Sequence, residues 1–217
     1  GLSNGGQMAL RLALEDAPHY AAVAAIGANL PAPQGRDCST GPATLPVALF
    51  VGTADPINPF HGGLVRVGDD ISRGYVLDAW YGASWFAARA GQSAPPLARH
   101  YPDLDRGDRS RASRFAWLEP GKPPVLLYVI ENGGHTIPGS PDWPGVASPP
   151  VTNRDIDAAR ESWAFFERVD AALDPLRADD PTLPVRSARQ PLRLPKTLSE
   201  QQVEALLKAP DPETALG

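Results

Sequence analysis

The sequence predicts an α/β fold in which parallel strands alternate with helices, and three observations carry that prediction. Short apolar runs at 21–26 and 47–51 each end in glycine, and a third, at 125–130, is rich in β-branched and aromatic residues. Runs with helical spacing lie beside and between them. Polar clusters containing Ser3, Asp55 and His135 stand at the turns and strand exits, where ligands gather in sheets of this kind.

Taken in order, the glycine-rich stretch 1–6 is a tight turn that feeds a helix over Met8 to Leu14. The runs 21–26 and 47–51 are buried strands. Val76 to Ala90 is alanine-rich and carries Trp80, Trp85 and Phe86, which predicts a helix, and 125–130 is the third strand. Asp155 to Leu173 places Ile156, Ala159, Trp163, Phe166 and Val169 three and four apart, predicting a helix with those residues on its apolar face. That helix closes the first domain, residues 1–173.

The texture then changes. Residues 174–198 form a linker, with prolines at 175, 181, 184, 191 and 195 and almost no periodic apolar residues. Ser199 and Gln202 make a capping box, with Leu198 and Val203 as its staple, so residues 199–217 form a short helical segment. Its stripe is Val203, Leu206 and Leu207.

A chain of 217 residues has room for one domain and an appendage. Its 42% hydrophobic and 21% charged residues are those of a globular protein, and 25 prolines with 20 glycines predict long irregular connections. The net charge of −5 argues against a nucleic-acid glove. No window reaches the roughly 18 apolar residues of a membrane span. The single cysteine, Cys38, has no partner for an internal disulfide. His19, His61 and His100 show no zinc-ligand spacing. Gly1 is not preceded by a charged and apolar leader, so a signal peptide is expected to be absent or removed.

The chemistry centres on Gly1-Leu2-Ser3-Asn4-Gly5, a G-x-S-x-G sequence directly ahead of a helical pattern. Such a turn lifts the serine oxygen clear of the sheet, and the backbone N–H of Asn4, at the helix N-terminus, is placed to stabilise an oxyanion. Asp55 follows the second strand in Gly52-Thr53-Ala54-Asp55-Pro56, and His135 follows the third in Asn132-Gly133-Gly134-His135. The order serine, aspartate, histidine is that of an α/β-hydrolase. A serine hydroxyl is a weak nucleophile at neutral pH, so His135 must take its proton and Asp55 must hold the imidazole. Taken singly, Ser3 sits in a glycine turn, Asp55 in a turn before Pro56, and His135 in a glycine loop; their joint order is what favours the catalytic reading. Trp143, in Pro141-Asp142-Trp143-Pro144, either lines an acyl pocket or packs structurally.

Residues 1–14, the stretch Gly52-Thr53-Ala54-Asp55-Pro56-Ile57-Asn58-Pro59-Phe60-His61-Gly62-Gly63 and the stretch Glu131-Asn132-Gly133-Gly134-His135-Thr136 together resemble the polyhydroxybutyrate-depolymerase and feruloyl-esterase-like α/β-hydrolases. The likeness covers about residues 1–170. It implies Ser3 as nucleophile, Asp55 as acid and His135 as base, acting on a carboxylic ester: a polyester oligomer or an aromatic acyl ester. It implies secretion, and neither metal nor organic cofactor. Members of that family carry about five strands ahead of the elbow, so the expectation is a C-terminal half whose three parallel strands leave an open edge, prone to self-association.

The stretch Pro191-Leu192-Arg193-Leu194-Pro195-Lys196-Thr197-Leu198-Ser199, with the helix after it, resembles the linker and first catalytic-domain helix of Xer-type tyrosine recombinases over about residues 177–217. Six basic and six acidic residues there balance, which gives no argument of its own for DNA binding. The resemblance implies a fragment of a DNA-recombination protein fused to a hydrolase remnant, with recombinase chemistry lying beyond Gly217.

Overall fold

The computed structural model describes residues 1–33, 40–141 and 151–173, with side chains through residue 169. The chain divides into two units, Gly1–Leu173 and Asp174–Gly217. The expected linker, capping box and terminal helix of the second unit lie outside the described residues, as do Cys38 and Trp143.

The first unit is an α/β structure around a mixed sheet. Its strands are β1 (Val23–Ile26), β2 (Val47–Gly52), β5 (Leu97–His100), β6 (Arg111–Trp117) and β7 (Val125–Glu131), with a separate small pair β3 (Gly63–Leu64) and β4 (Tyr75–Val76). The spatial order is β1-β2-β7-β6-β5. The first three run parallel, with Val47 beside both Val23 and Val125. β6 pairs antiparallel with β7, and β5 antiparallel with β6.

All six residues of β2 are buried, as a central parallel strand covered on both faces requires. Its odd-numbered side chains Val47, Leu49 and Val51 pack with Leu10, Leu14, Ala83 and Phe86, from helices α1 (Asn4–Glu15) and α2 (Ala79–Arg89). The even-numbered Ala48 and Phe50 pack on the other face with Phe165 and Val169 of α3 (Ala158–Leu173). Alternation along each strand therefore feeds two apolar layers. On the α3 side, Phe50 and Tyr128 are register partners whose rings stack with centroids 4.1 Å apart. The Tyr128 hydroxyl donates to Glu161 Oε2 at 2.7 Å, and that of Tyr101 donates to the same oxygen at 3.0 Å. This pins α3 to the sheet. Burial, reinforced by the Glu161 carboxylate, pushes the Tyr128 hydroxyl far above its ordinary pKa.

Three expectations are corrected. The alternation of strand, helix and strand omits β5 and β6, which add an antiparallel wing beyond β7. Their sequence hides them: β5 is exposed at all four positions and β6 is rich in arginine, so neither shows a continuous apolar run. The helix expected from Val76 begins at Ala79, because Val76 belongs to β4 and the Asp78 carboxylate caps the helix by accepting from Tyr81 N. The helix expected from Asp155 begins at Ala158. Its buried face carries Phe165 and Val169, at 4% exposure each, whereas Trp163 is 56% exposed and donates from Nε1 to Glu167. Of the expected face, Ile156 and Val169 are buried and Phe166 packs partly against the same core, while Phe165 and not Trp163 supplies the buried ring between them.

That assignment predicts unequal costs. Phe165→Ala should destabilise the chain by about 3–5 kcal/mol, while Trp163→Ala stays within about 0.5 kcal/mol, both read by urea unfolding. Equal losses would show that α3 docks through its other face.

Candidate active site

The residues of interest meet at the carboxyl ends of the parallel strands. Gly1 to Ser3 run alongside β1: Gly1 O accepts from Ile26 N at 2.9 Å, Ser3 N donates to Ile26 O at 2.8 Å, and Leu2 bridges Ile26 in parallel. The chain then turns sharply into α1. Ser3 is the N-cap residue, at φ 52° and ψ −117°, a conformation that costs a non-glycine residue about 1–3 kcal/mol and typifies a strained strand-to-helix elbow. Gly1 makes the turn possible, since a Cβ there would lie 2.3 Å from Gly5 O. Asn4 opens α1, where backbone N–H groups have no partner within the helix.

Asp55 lies in the loop after β2, with a fully buried side chain. Both its oxygens are engaged. Oδ1 accepts from the backbone of Ile57 and Asn58 at 2.8 Å each, and Oδ2 meets His135 Nδ1 at 2.7 Å. His135 comes from the loop after β7 and is itself buried. The two loops are stitched together before their side chains meet: Ala54 N donates to Gly133 O, Thr53 N to Ile130 O, and Asn132 N to Thr53 Oγ1. The register of β2 against β7 therefore dictates the Asp55–His135 contact.

Gly27, just past β1, joins this pair to the serine. Its φ is +57°, and a Cβ there would stand 3.1 Å from both Nδ1 and Cε1 of the imidazole, so the ring of His135 lies against it. Gly27 and Ser3 line one cleft of about 400 Å³, together with Asn4, Met8, Ile57 and Tyr75. Asp55 and His135 are in direct contact, and Ser3 and Asn4 line the cleft that Gly27, beneath the His135 ring, also lines. Asp55 engages Nδ1 of the imidazole and leaves the other ring nitrogen, Nε2, outside this contact. The other histidines, His19, His61 and His100, face Asp16, Asp78 and Ser113 at exposed positions.

Sequence reasoning passed over Gly27, Gln7, Asn29 and Asn58. Asn29 and Asn58 are almost wholly buried, and Gln7 and Asn58 also line the cleft. Asn58 lies three residues after Asp55, the only sequence signal for any of them. A larger cavity, of about 680 Å³, is lined by Pro46, Pro124, Phe165 and Val169; Pro46 and Pro124 precede β2 and β7, so it opens at the opposite end of the strands. Among the described residues no cluster of three metal-ligating side chains occurs, and no helix is long and apolar enough to cross a membrane.

No protein-family model matches the chain. It is 31% identical over 179 residues to "Putative esterase NocK" of Nocardia uniformis subsp. tsuyamanensis, an alignment covering 76% of this chain and 49% of that protein. It is also 46% identical over 63 residues to tyrosine recombinase XerD of Vibrio cholerae serotype O1, covering 29% of this chain and 19% of that protein. Against XerD of Xanthomonas campestris pv. campestris it is 50% identical over 142 residues, covering 55% and 43%. The chain spans about half the length of the esterase it matches, and less of the recombinases.

The packing of His135 on Gly27 is directly testable. Gly27→Ala puts a methyl group into the imidazole at a positive φ, and should cost about 1–3 kcal/mol in thermal or urea unfolding while shifting the His135 ring resonances in NMR. Unperturbed resonances would show that the ring does not rest there.

Proposed function

We infer that this chain carries the nucleophile, base and acid of a serine hydrolase of the α/β-hydrolase type, represented by its C-terminal half and acting on carboxylic esters. The observation that carries this reading is the buried Asp55–His135 pair, at 2.7 Å, packed on the glycine that shares a cleft with a serine held at positive φ. Likeness to an esterase over 76% of the chain supports it.

The chemistry follows from the geometry. Asp55, fixed by two backbone N–H groups, holds His135 with its proton on Nδ1, so Nε2 takes the proton of Ser3 as Oγ attacks the ester carbonyl carbon. Negative charge builds on the carbonyl oxygen, where the Asn4 N–H and the positive end of α1 stabilise it. As the tetrahedral intermediate collapses, the C–O bond to the alcohol breaks and His135 returns the proton to the departing alkoxide. Water, deprotonated by the same Nε2, then cleaves the acyl-enzyme and frees Ser3. These steps call on neither metal nor organic cofactor. Met8, Ile57 and Tyr75 give the cleft apolar wall for an acyl group, which suits a polyhydroxyalkanoate-type polyester or an aromatic acyl ester.

The XerD likeness, at 46–50% identity, favours a second reading in which part of a DNA-recombination protein is fused to a hydrolase remnant. Retention of duplex DNA by the full chain at low salt checks it.

Ser3→Ala and His135→Ala should each lower kcat on p-nitrophenyl butyrate by about 10⁴–10⁶-fold, and Asp55→Asn by about 10⁴-fold. Because the three act as a unit, the double variant Ser3→Ala/His135→Ala should be little worse than either single one. Near-normal turnover in Ser3→Ala or His135→Ala would overturn the reading.

A further inference from the structure

Three amide residues beside the Asp55–His135 pair are linked through side-chain-to-backbone hydrogen bonds. Gln7, on the helix that follows Ser3, donates from Nε2 to Asn29 O at 3.1 Å. Asn29 sits in the loop after β1; its backbone N–H donates to Asn58 Oδ1 at 3.1 Å and its Nδ2 to Pro59 O at 2.9 Å. Asn58 N in turn donates to Asp55 Oδ1. One path of hydrogen bonds therefore runs from α1, through the exit of β1, to the carboxylate that holds His135. Asn29 is its hub, using backbone N–H, backbone carbonyl and side chain at once.

This network is not built for stability alone. Gln7 Oε1, Asn29 Oδ1 and Asn58 Nδ2 are each buried without a partner, three of five such atoms among the described residues. Apolar side chains of similar size would remove these stranded atoms but would leave the backbone groups of Asn29 and Pro59 that the amides satisfy without those partners. What amides supply in addition is direction: each bond fixes one segment of the site against another, and the segments carry Ser3, Gly27 and Asp55 respectively.

The geometry points to Asn29 as a positioning residue, whose side chain ties Pro59, at the end of the 55–59 loop, to the exit of β1 and whose backbone joins Gln7 and Asn58, so that it sets how Asp55 presents itself to His135. The proposal rests on the reading of Ser3, His135 and Asp55 given above. In these contacts Asn29 moves no proton and acts through Asp55 and Gln7. Its weight comes from the sensitivity of proton transfer to placement, where a displacement of about 1 Å is worth about 10²-fold in rate.

The test is Asn29→Leu in the full chain, which at similar volume removes the stranded Oδ1 and the Nδ2 bond to Pro59 O, and leaves the backbone N–H and carbonyl that meet Asn58 and Gln7. We expect kcat on p-nitrophenyl butyrate to fall by about 10–100-fold with KM within about twofold. The downfield Nδ1–H proton resonance of His135 in the resting protein should move or broaden with it, a signature that general loosening elsewhere would not produce. Gln7→Met cuts only the link to α1; a smaller fall of the same kind is expected, and this variant bears the test if Asn29→Leu does not fold. Unchanged kcat with an unchanged His135 resonance in a folded variant overturns the proposal, as does an effect confined to KM. Should the wild-type chain hydrolyse no ester, or Ser3→Ala retain turnover, the hydrolase reading fails. The resonance still decides the positioning claim: it survives Asn29→Leu if the claim is wrong and shifts if it is right.

Discussion

Val47 lies beside Val23 on one side and Val125 on the other, and everything at the candidate site depends on that parallel register. Three strands that start level and run the same way finish near one another, Ile26 beside Phe50 and Gly52 beside Ile130, so the segments leaving them emerge at one rim. Ile26 fastens the elbow bearing Ser3, Gly52 leads to Asp55, and Glu131 leads to His135. A slip of one residue between β2 and β7 would reverse the facing of every side chain on the slipped strand and pull the Asp55 and His135 loops apart. The apolar alternation that feeds two helical layers is thus the same constraint that aligns the polar residues.

The site adds local costs to that scaffold. Ser3 holds a backbone conformation that disfavours any side chain, and three buried amide groups around Asn29 lack partners. Such costs persist where surrounding structure over-determines them. Here the helix and strand ends do so: α1 packs Leu10 and Leu14 into the core behind Ser3, and the Phe50–Tyr128 stack steadies the two central strands behind Asp55 and His135. A rigid frame with strained residues at its rim is the arrangement that preorganised chemistry needs.

The antiparallel wing alters the account of the sheet. β6 follows β7 residue for residue from Trp117↔Val125 to Arg111↔Glu131, and β2 pairs it from Val125 to Ile130, so the strand bearing the His135 loop is flanked on both sides. A central strand of that kind resists displacement better than an edge strand, and that steadies the imidazole. Asn132 Nδ2 extends the support by donating to Arg109 O, joining the His135 loop to the turn ahead of β6.

Sequence alone determined the elements whose burial is symmetrical. The runs at 21–26, 47–51 and 125–130 read as strands because they are continuously apolar, which fits strands covered on both faces. The positions of Ser3, Asp55 and His135 were legible because glycine-rich turns and strand exits mark themselves in composition. Tertiary structure decided what depends on a partner. β5 and β6 show no continuous apolar run, and their pairing comes from backbone hydrogen bonds, which every sequence offers equally. The face of α3 that turns inward was settled by the sheet, which takes Phe165 and leaves Trp163 in solvent. Gly27, Gln7, Asn29 and Asn58 matter only through neighbours distant in the chain, the backbone of Asn29 meeting Asn58 across 29 residues. No periodicity encodes a contact of that kind, because it exists only once the strands have brought their ends together.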